Sequence, residues 1–87
     1  MKYTLIYHEK VLKEDIPKLS SPLKKQIRLA IEQKLESHPE VFGKPLRKSL
    51  KGYRKLRVGD YRVIFFIEQK KIQILAIKHR SIVYKSI

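Results

Sequence analysis

Apolar and charged residues alternate through the second half of this chain, with two short interruptions, and that pattern leaves few folds open. Leu50 to Val58 sets Tyr53, Lys55 and Arg57 against Arg54, Leu56 and Val58, and Gly59-Asp60 then marks a tight turn. Tyr61 to Ile67 is aromatic and β-branched, Glu68-Gln69-Lys70 reads as a second turn, and Lys71 to Lys78 forms a third strand through Ile72, Ile74, Leu75 and Ile77. Turns this short join antiparallel neighbours, so residues 50–78 predict a three-stranded meander.

The first half carries a different period. Lys2 to His8 alternates, Tyr3, Leu5 and Tyr7 against Thr4 and Ile6, as a strand does. Leu12, Ile16 and Leu19 then recur at helical spacing, with Pro17 stopping or kinking the helix near Asp15 to Ile16. Ser20-Ser21-Pro22 is a capping residue followed by a proline suited to a first turn. The stripe Leu23, Ile27, Ala30, Ile31, Leu35 makes a second helix that His38-Pro39 ends. Residues 38–49, with two prolines and a glycine, read as a connecting loop, and residues 80–87 as either a helical turn or an extended tail. The expected architecture is α+β: an amino-terminal strand, a two-helix hairpin, then the meander. The helices should pack on one face of the sheet and leave the other face open.

With 87 residues there is material for one modest core, so residues 1–87 are expected to form a single domain. The chain has no cysteine, which excludes disulfides and thiolate metal sites. The opening MKYTLIYHEK lacks the apolar run of a signal peptide, and no stretch is long enough to span a membrane; a cytoplasmic protein without membrane association is the expectation. His8, His38 and His79 are too scattered for a local ligand cluster, and no phosphate-cradling glycine loop or dinucleotide fingerprint occurs. Neither metal nor cofactor is therefore expected.

Charge narrows the function. The chain carries a net +13, placed unevenly: residues 1–43 hold 8 basic and 6 acidic side chains, residues 44–87 hold 13 and 2. Such a density repels itself and points to a polyanionic partner. Nucleic acid is favoured over lipid, because the cations lie on strand-like sequence rather than on a basic amphipathic helix. Tyr53, Lys55 and Arg57 share one strand face, Arg62 and Phe66 share a face of the next, and Lys78 and Arg80 have matching parity on the last, with His79 opposite. RNA is cleaved without metal when one group takes the 2′-hydroxyl proton, others hold the phosphorane charge, and another protonates the leaving 5′-oxygen. Lysine acts as base in its neutral form, which nearby cations such as Arg57 and Arg62 favour. Against this stands the plain alternative that exposed strand cations only solvate a face and protect an edge.

The run Tyr53-Arg54-Lys55-Leu56-Arg57-Val58-Gly59-Asp60-Tyr61-Arg62-Val63-Ile64-Phe65 and the closing Ala76-Ile77-Lys78-His79-Arg80-Ser81-Ile82-Val83-Tyr84 resemble the signatures of the RelE/ParE toxin superfamily. For RelE-like members the resemblance implies the toxin of a type II toxin–antitoxin pair. Such a toxin is an endoribonuclease that cuts messenger RNA in the ribosomal decoding site and leaves a 2′,3′-cyclic phosphate and a 5′-hydroxyl. It also implies a RelB-like antitoxin with an acidic tail, a free monomer, and a toxin–antitoxin heterotetramer in complex. By resemblance, Lys55 matches the base, Arg62 the phosphate-stabilising arginine, Tyr84 the base-stacking tyrosine, and Arg57 a further basic position. The general acid stays open among Lys78, His79 and Arg80, with Lys78 and Arg80 favoured as phosphate contacts. Tyr53 stands where some relatives have lysine. ParE-like relatives share the fold but poison DNA gyrase; the set Lys55, Arg62 and Tyr84 favours the nuclease. A non-catalytic RNA-binding protein is the remaining alternative.

Overall fold

The computed structural model describes residues 2–46 and 52–85, with the Tyr84 side chain outside that description. Five strands form one sheet in the order β1-β5-β4-β3-β2: β1 (Thr4–Tyr7), β2 (Lys44–Pro45), β3 (Arg54–Val58), β4 (Tyr61–Glu68) and β5 (Lys71–His79). The expected meander is β3-β4-β5, antiparallel throughout, and β1 runs parallel to β5 from Thr4 opposite Lys71 to Tyr7 opposite Ile74. Gly59, at φ +59°, supplies the left-handed backbone that the β3–β4 turn requires at its first central position.

Both helical segments form, each with a widened turn. Val11–Asp15 is a π-helical turn closed by the Ile16 N–H donating to the Val11 carbonyl, and Pro17 follows inside the 3-10 turn Ile16–Lys18. Helix α1 (Ser21–Ala30) starts on Ser20, whose hydroxyl accepts from the Leu23 N–H at 3.4 Å. It continues into a second π-helical turn, Ile31–Leu35. Ile27, Ile31 and Leu35 are each four residues apart, a spacing that drifts around an ordinary α-helix. The wider turn reduces that drift, and all three are buried.

Residues 38–46 are not the plain loop expected from their prolines. Helix α2 (Pro39–Phe42) and β2 lie there, because Gly43 lets the backbone press on the core: a Cβ at this position would stand 2.2 Å from Phe65 Cζ. The Gly43 carbonyl accepts from the Arg54 guanidinium at 3.0 Å, which fixes β2 beside β3.

The main core lies between the helices and one sheet face, joining Val11, Leu19, Ile27, Ile31 and Leu35 to Leu56, Val58, Val63, Phe65, Ile72, Ile74 and Ile77. The other face is not left open as expected. The 3-10 turn Val83–Lys85 folds onto it, and Val83 is fully buried on Ile64 and Ala76 with Leu46 and Leu75 around them. Burying about one valine-sized apolar side chain stabilises by roughly 1.5–3 kcal/mol, enough to hold a short tail in place.

Candidate nucleic-acid interface

Strand register decides which cations meet. Arg62 lies opposite Arg57 on β3 and opposite Lys78 on β5, so three basic residues form one row across three strands. One row further along the same face, Lys55 lies opposite Ile64 on β4 and opposite Lys44 on β2. Lys44, in a segment whose prolines and glycine predict a loop, thus joins the cationic face. Tyr53 and Phe66 stack obliquely at 6.1 Å between ring centroids.

The Arg62 guanidinium is oriented by the β3–β4 turn, donating at 3.0 Å to both the Gly59 and Tyr61 carbonyls. It does not use Asp60 or Glu68 in these contacts. Asp60 instead receives the Arg80 side chain at 4.0 Å, and its carbonyl accepts the Arg80 N–H at 2.8 Å. Both side chains of that pair are mostly exposed, so it contributes little to stability. The backbone bond still ties the end of β5 to the turn that carries Arg62.

A bulge divides β5. Phe65 is opposite Ile74 and Ile64 opposite Ala76, so Leu75 has no partner across the ladder. Beyond it the faces exchange, which is how Ile72, Ile74 and Ile77 all reach the main core. It also puts Lys78 on the cationic face and His79 on the helical one. His79 stands edge-on to Tyr61, 5.5 Å between centroids, and its Nδ1 accepts the Ser81 N–H at 3.2 Å. The ring is therefore on the opposite side of the sheet from Lys55, Arg57 and Arg62.

Lys78, expected as a phosphate contact, has its ammonium 2.7 Å from Asp15 Oδ1. The cause lies at the strand edge. β1 covers β5 only as far as Ile74, so the Ile77 N–H would be left without a strand partner; Asp15 Oδ2 accepts it at 3.0 Å. A carboxylate buried to 2% exposure needs a cation, and Lys78, at 17%, bends over the edge to supply it. Asp15 was missed in the sequence, yet a signal was present: it sits four residues from both Val11 and Leu19, an acid within an apolar stripe.

Of the residues singled out from the sequence, the sheet brings Tyr53, Lys55, Arg57 and Arg62 to one face, ties Arg80 to the adjoining turn, and draws the Lys78 ammonium away. The Tyr84 backbone follows Val83 in the tail turn on the same face, and its side chain lies outside the described residues. Among the described residues, no group of three or more His, Cys, Asp or Glu could hold a metal ion, and no helix is long and apolar enough to cross a membrane.

Known proteins share this fold. The chain is 40% identical over 53 residues to the toxin RelE of Mycobacterium tuberculosis, a match covering 59% of this chain and 55% of that protein. It thus spans about half the length of this curated relative. The crystal structure of the toxin–antitoxin complex RelBE2 from the same organism superposes with a TM-score of 0.79 at 28% identity, covering 92% of this chain and 100% of the other. The archaeal RelE–RelB complex from Pyrococcus horikoshii gives a TM-score of 0.67 at 28% identity, with coverages of 92% and 97%. The sequence model of the ParE toxin of type II toxin–antitoxin systems matches residues 3–84, nearly the whole chain, and with this fold it makes the chain a member of the RelE/ParE toxin superfamily.

Proposed function

We propose that this toxin is a metal-independent endoribonuclease that cleaves messenger RNA in the ribosomal decoding site. The observation that carries the reading is the row Arg57–Arg62 with Lys55 one step along the same face, the Arg62 guanidinium being oriented by two turn carbonyls. In this reading Lys55 accepts the 2′-hydroxyl proton, and O2′ attacks the adjacent phosphorus. Arg62 and Arg57 hold the charge of the phosphorane. The P–O5′ bond breaks, the 5′-oxygen departs beside Arg80 with a proton from water, and a 2′,3′-cyclic phosphate and a 5′-hydroxyl remain. Tyr84 stacks on a base next to the cut, and Tyr53 lines the RNA path. His79, turned toward Tyr61, takes no step.

The proposed partner is a RelB-like antitoxin, as in the toxin–antitoxin complexes of the similar structures. Besides the cationic face, a groove of about 530 Å³ suits such a partner: Leu12, Ile16 and Ile27 line it together with Lys24, Lys25 and Arg28. Apolar lining with cations beside it fits an acidic amphipathic segment, and that binding weakens as salt rises.

Primer extension on a reporter message in a translating extract tests the nuclease directly. Discrete, translation-dependent cuts by the wild type, lost in a folded Arg62→Ala variant, are expected. Growth arrest with intact RNA would instead favour DNA gyrase as the target, the reading that goes with ParE-like toxins.

A further inference from the structure

The Asp15–Lys78 pair has no role in the cleavage scheme, yet it holds the ammonium of a residue that the strand register places beside Arg62. Arg57, Arg62 and Lys78 lie directly opposite one another on neighbouring strands. Like charges in that relation repel. Lys78 is an outer member of the row, beyond the end of β1 on the far edge of β5, and its flexible four-carbon stem can reach around that edge. Asp15 waits there, anchored by the Ile77 N–H at 3.0 Å, and holds the Lys78 ammonium at 2.7 Å. A third phosphate-binding cation in the row would tighten ground-state and transition-state binding alike, which slows release without speeding the cut.

We propose that Asp15 is a positioning residue that withholds Lys78 from RNA phosphate, leaving Arg57 and Arg62 as the phosphate-binding members of the row. The inference rests on the RNA-binding reading above. It adds that the number of cations the RNA meets is set by an acid on the other layer of the protein. A purely structural Asp15 would affect stability and leave the phosphate count unchanged.

The test is the salt dependence of binding to a short fluorescent RNA with 2′-O-methyl groups, which binds but cannot be cut. Asp15→Asn keeps an oxygen to accept the Ile77 N–H but releases the Lys78 ammonium. The slope of log affinity against log salt should steepen by about 0.7, the increment for one further phosphate contact on a single strand. In Asp15→Asn/Lys78→Met the slope should return to the wild-type value. A slope unchanged or shallower in Asp15→Asn overturns the proposal, as does a double variant shallower than wild type, which would mean that Lys78 already meets phosphate. Wild-type protein that binds no RNA overturns both this inference and the nuclease reading, whereas RNA binding that Arg62→Ala weakens and Asp15→Asn leaves alone overturns only this one.

A second measurement needs no variant. In wild-type protein, acetylation by an amine-reactive ester read by mass spectrometry should find Lys78 slow beside the exposed Lys70 and Lys71, and equally slow with RNA bound, while RNA slows Lys55. A Lys78 that reacts as fast as Lys71, or that RNA protects further, refutes the withholding.

Discussion

Adding a single methyl group at Gly43 tests how β2 reaches the cationic face. An alanine Cβ there would stand 2.2 Å from Phe65 Cζ, 2.9 Å from Phe65 Cε1 and 2.8 Å from the Pro39 carbonyl oxygen. Carbon atoms in contact prefer roughly 3.5–4.0 Å, so the ring must retreat by about 1 Å or more. Phe65 has nowhere to go, being fully buried between β3 and Ile74 of β5. Overpacking of this kind costs about 1–3 kcal/mol, offset by roughly 0.4–1 kcal/mol because alanine restricts the unfolded chain more than glycine. A net loss of about 1–2 kcal/mol is expected for Gly43→Ala, a substantial part of the roughly 4–13 kcal/mol usual for a domain of this size. In urea, with a slope near 1 kcal/mol per molar, the midpoint falls by about 1–2 M. Phe65→Leu removes the colliding ring edge, so adding Gly43→Ala to Phe65→Leu should cost much less than adding it to wild type. A midpoint within about 0.3 M of wild type for Gly43→Ala, or equal costs in the two backgrounds, would refute the contact as the reason for glycine here.

Other perturbations follow from the same geometry. Lys78→Met leaves the Asp15 carboxylate buried without its cation and should cost about 3–5 kcal/mol in urea unfolding, whereas Asp15→Asn/Lys78→Met should lose far less; equal losses would show that the charges are not coupled. Gln69 has φ +57°, strained for a residue with a side chain, so Gln69→Gly should raise the thermal midpoint modestly, by about 0.5 kcal/mol of stability, once glycine's looser unfolded state is counted. Burial first, and then the charge of Glu32, raise the Tyr7 hydroxyl above its ordinary 10.0, with Arg28 partly opposing. A raised acid favours the folded state while it stays protonated. Its contribution is therefore complete below pH 10 and fades as pH rises through the folded value; Tyr7→Phe should flatten that alkaline loss relative to wild type.

The strand pattern was legible because alternation is local: Tyr53 to Arg57 and Tyr61 to Ile67 show which side chains share a face before any partner is known. Arg57 opposite Arg62 follows once Gly59-Asp60 is read as a two-residue turn. Helix α1 was legible through its serine cap and apolar stripe. Three features were hidden because they depend on contacts distant in sequence. β2 exists because Gly43 can approach Phe65, 22 residues away in sequence. Asp15 finds its role only when β1 stops short on β5, 62 residues from the N–H it accepts. The small buried cluster on the far face hangs on Val83 meeting Ile64 and Ala76, which no periodicity in the tail announces.

Leu75 makes the end of β5 behave like text read in a shifted frame. Every side chain after it faces as though the strand were one residue shorter, so deleting Leu75 would leave Ala76 to His79 on the faces they hold, whereas straightening the strand with Leu75 paired to Ile64 would exchange those faces. His79 would then join Arg57 and Arg62, and Ile77 would leave the core. A relative whose strand lacks the bulge therefore keeps the same chemistry on each face only if it is also one residue shorter there.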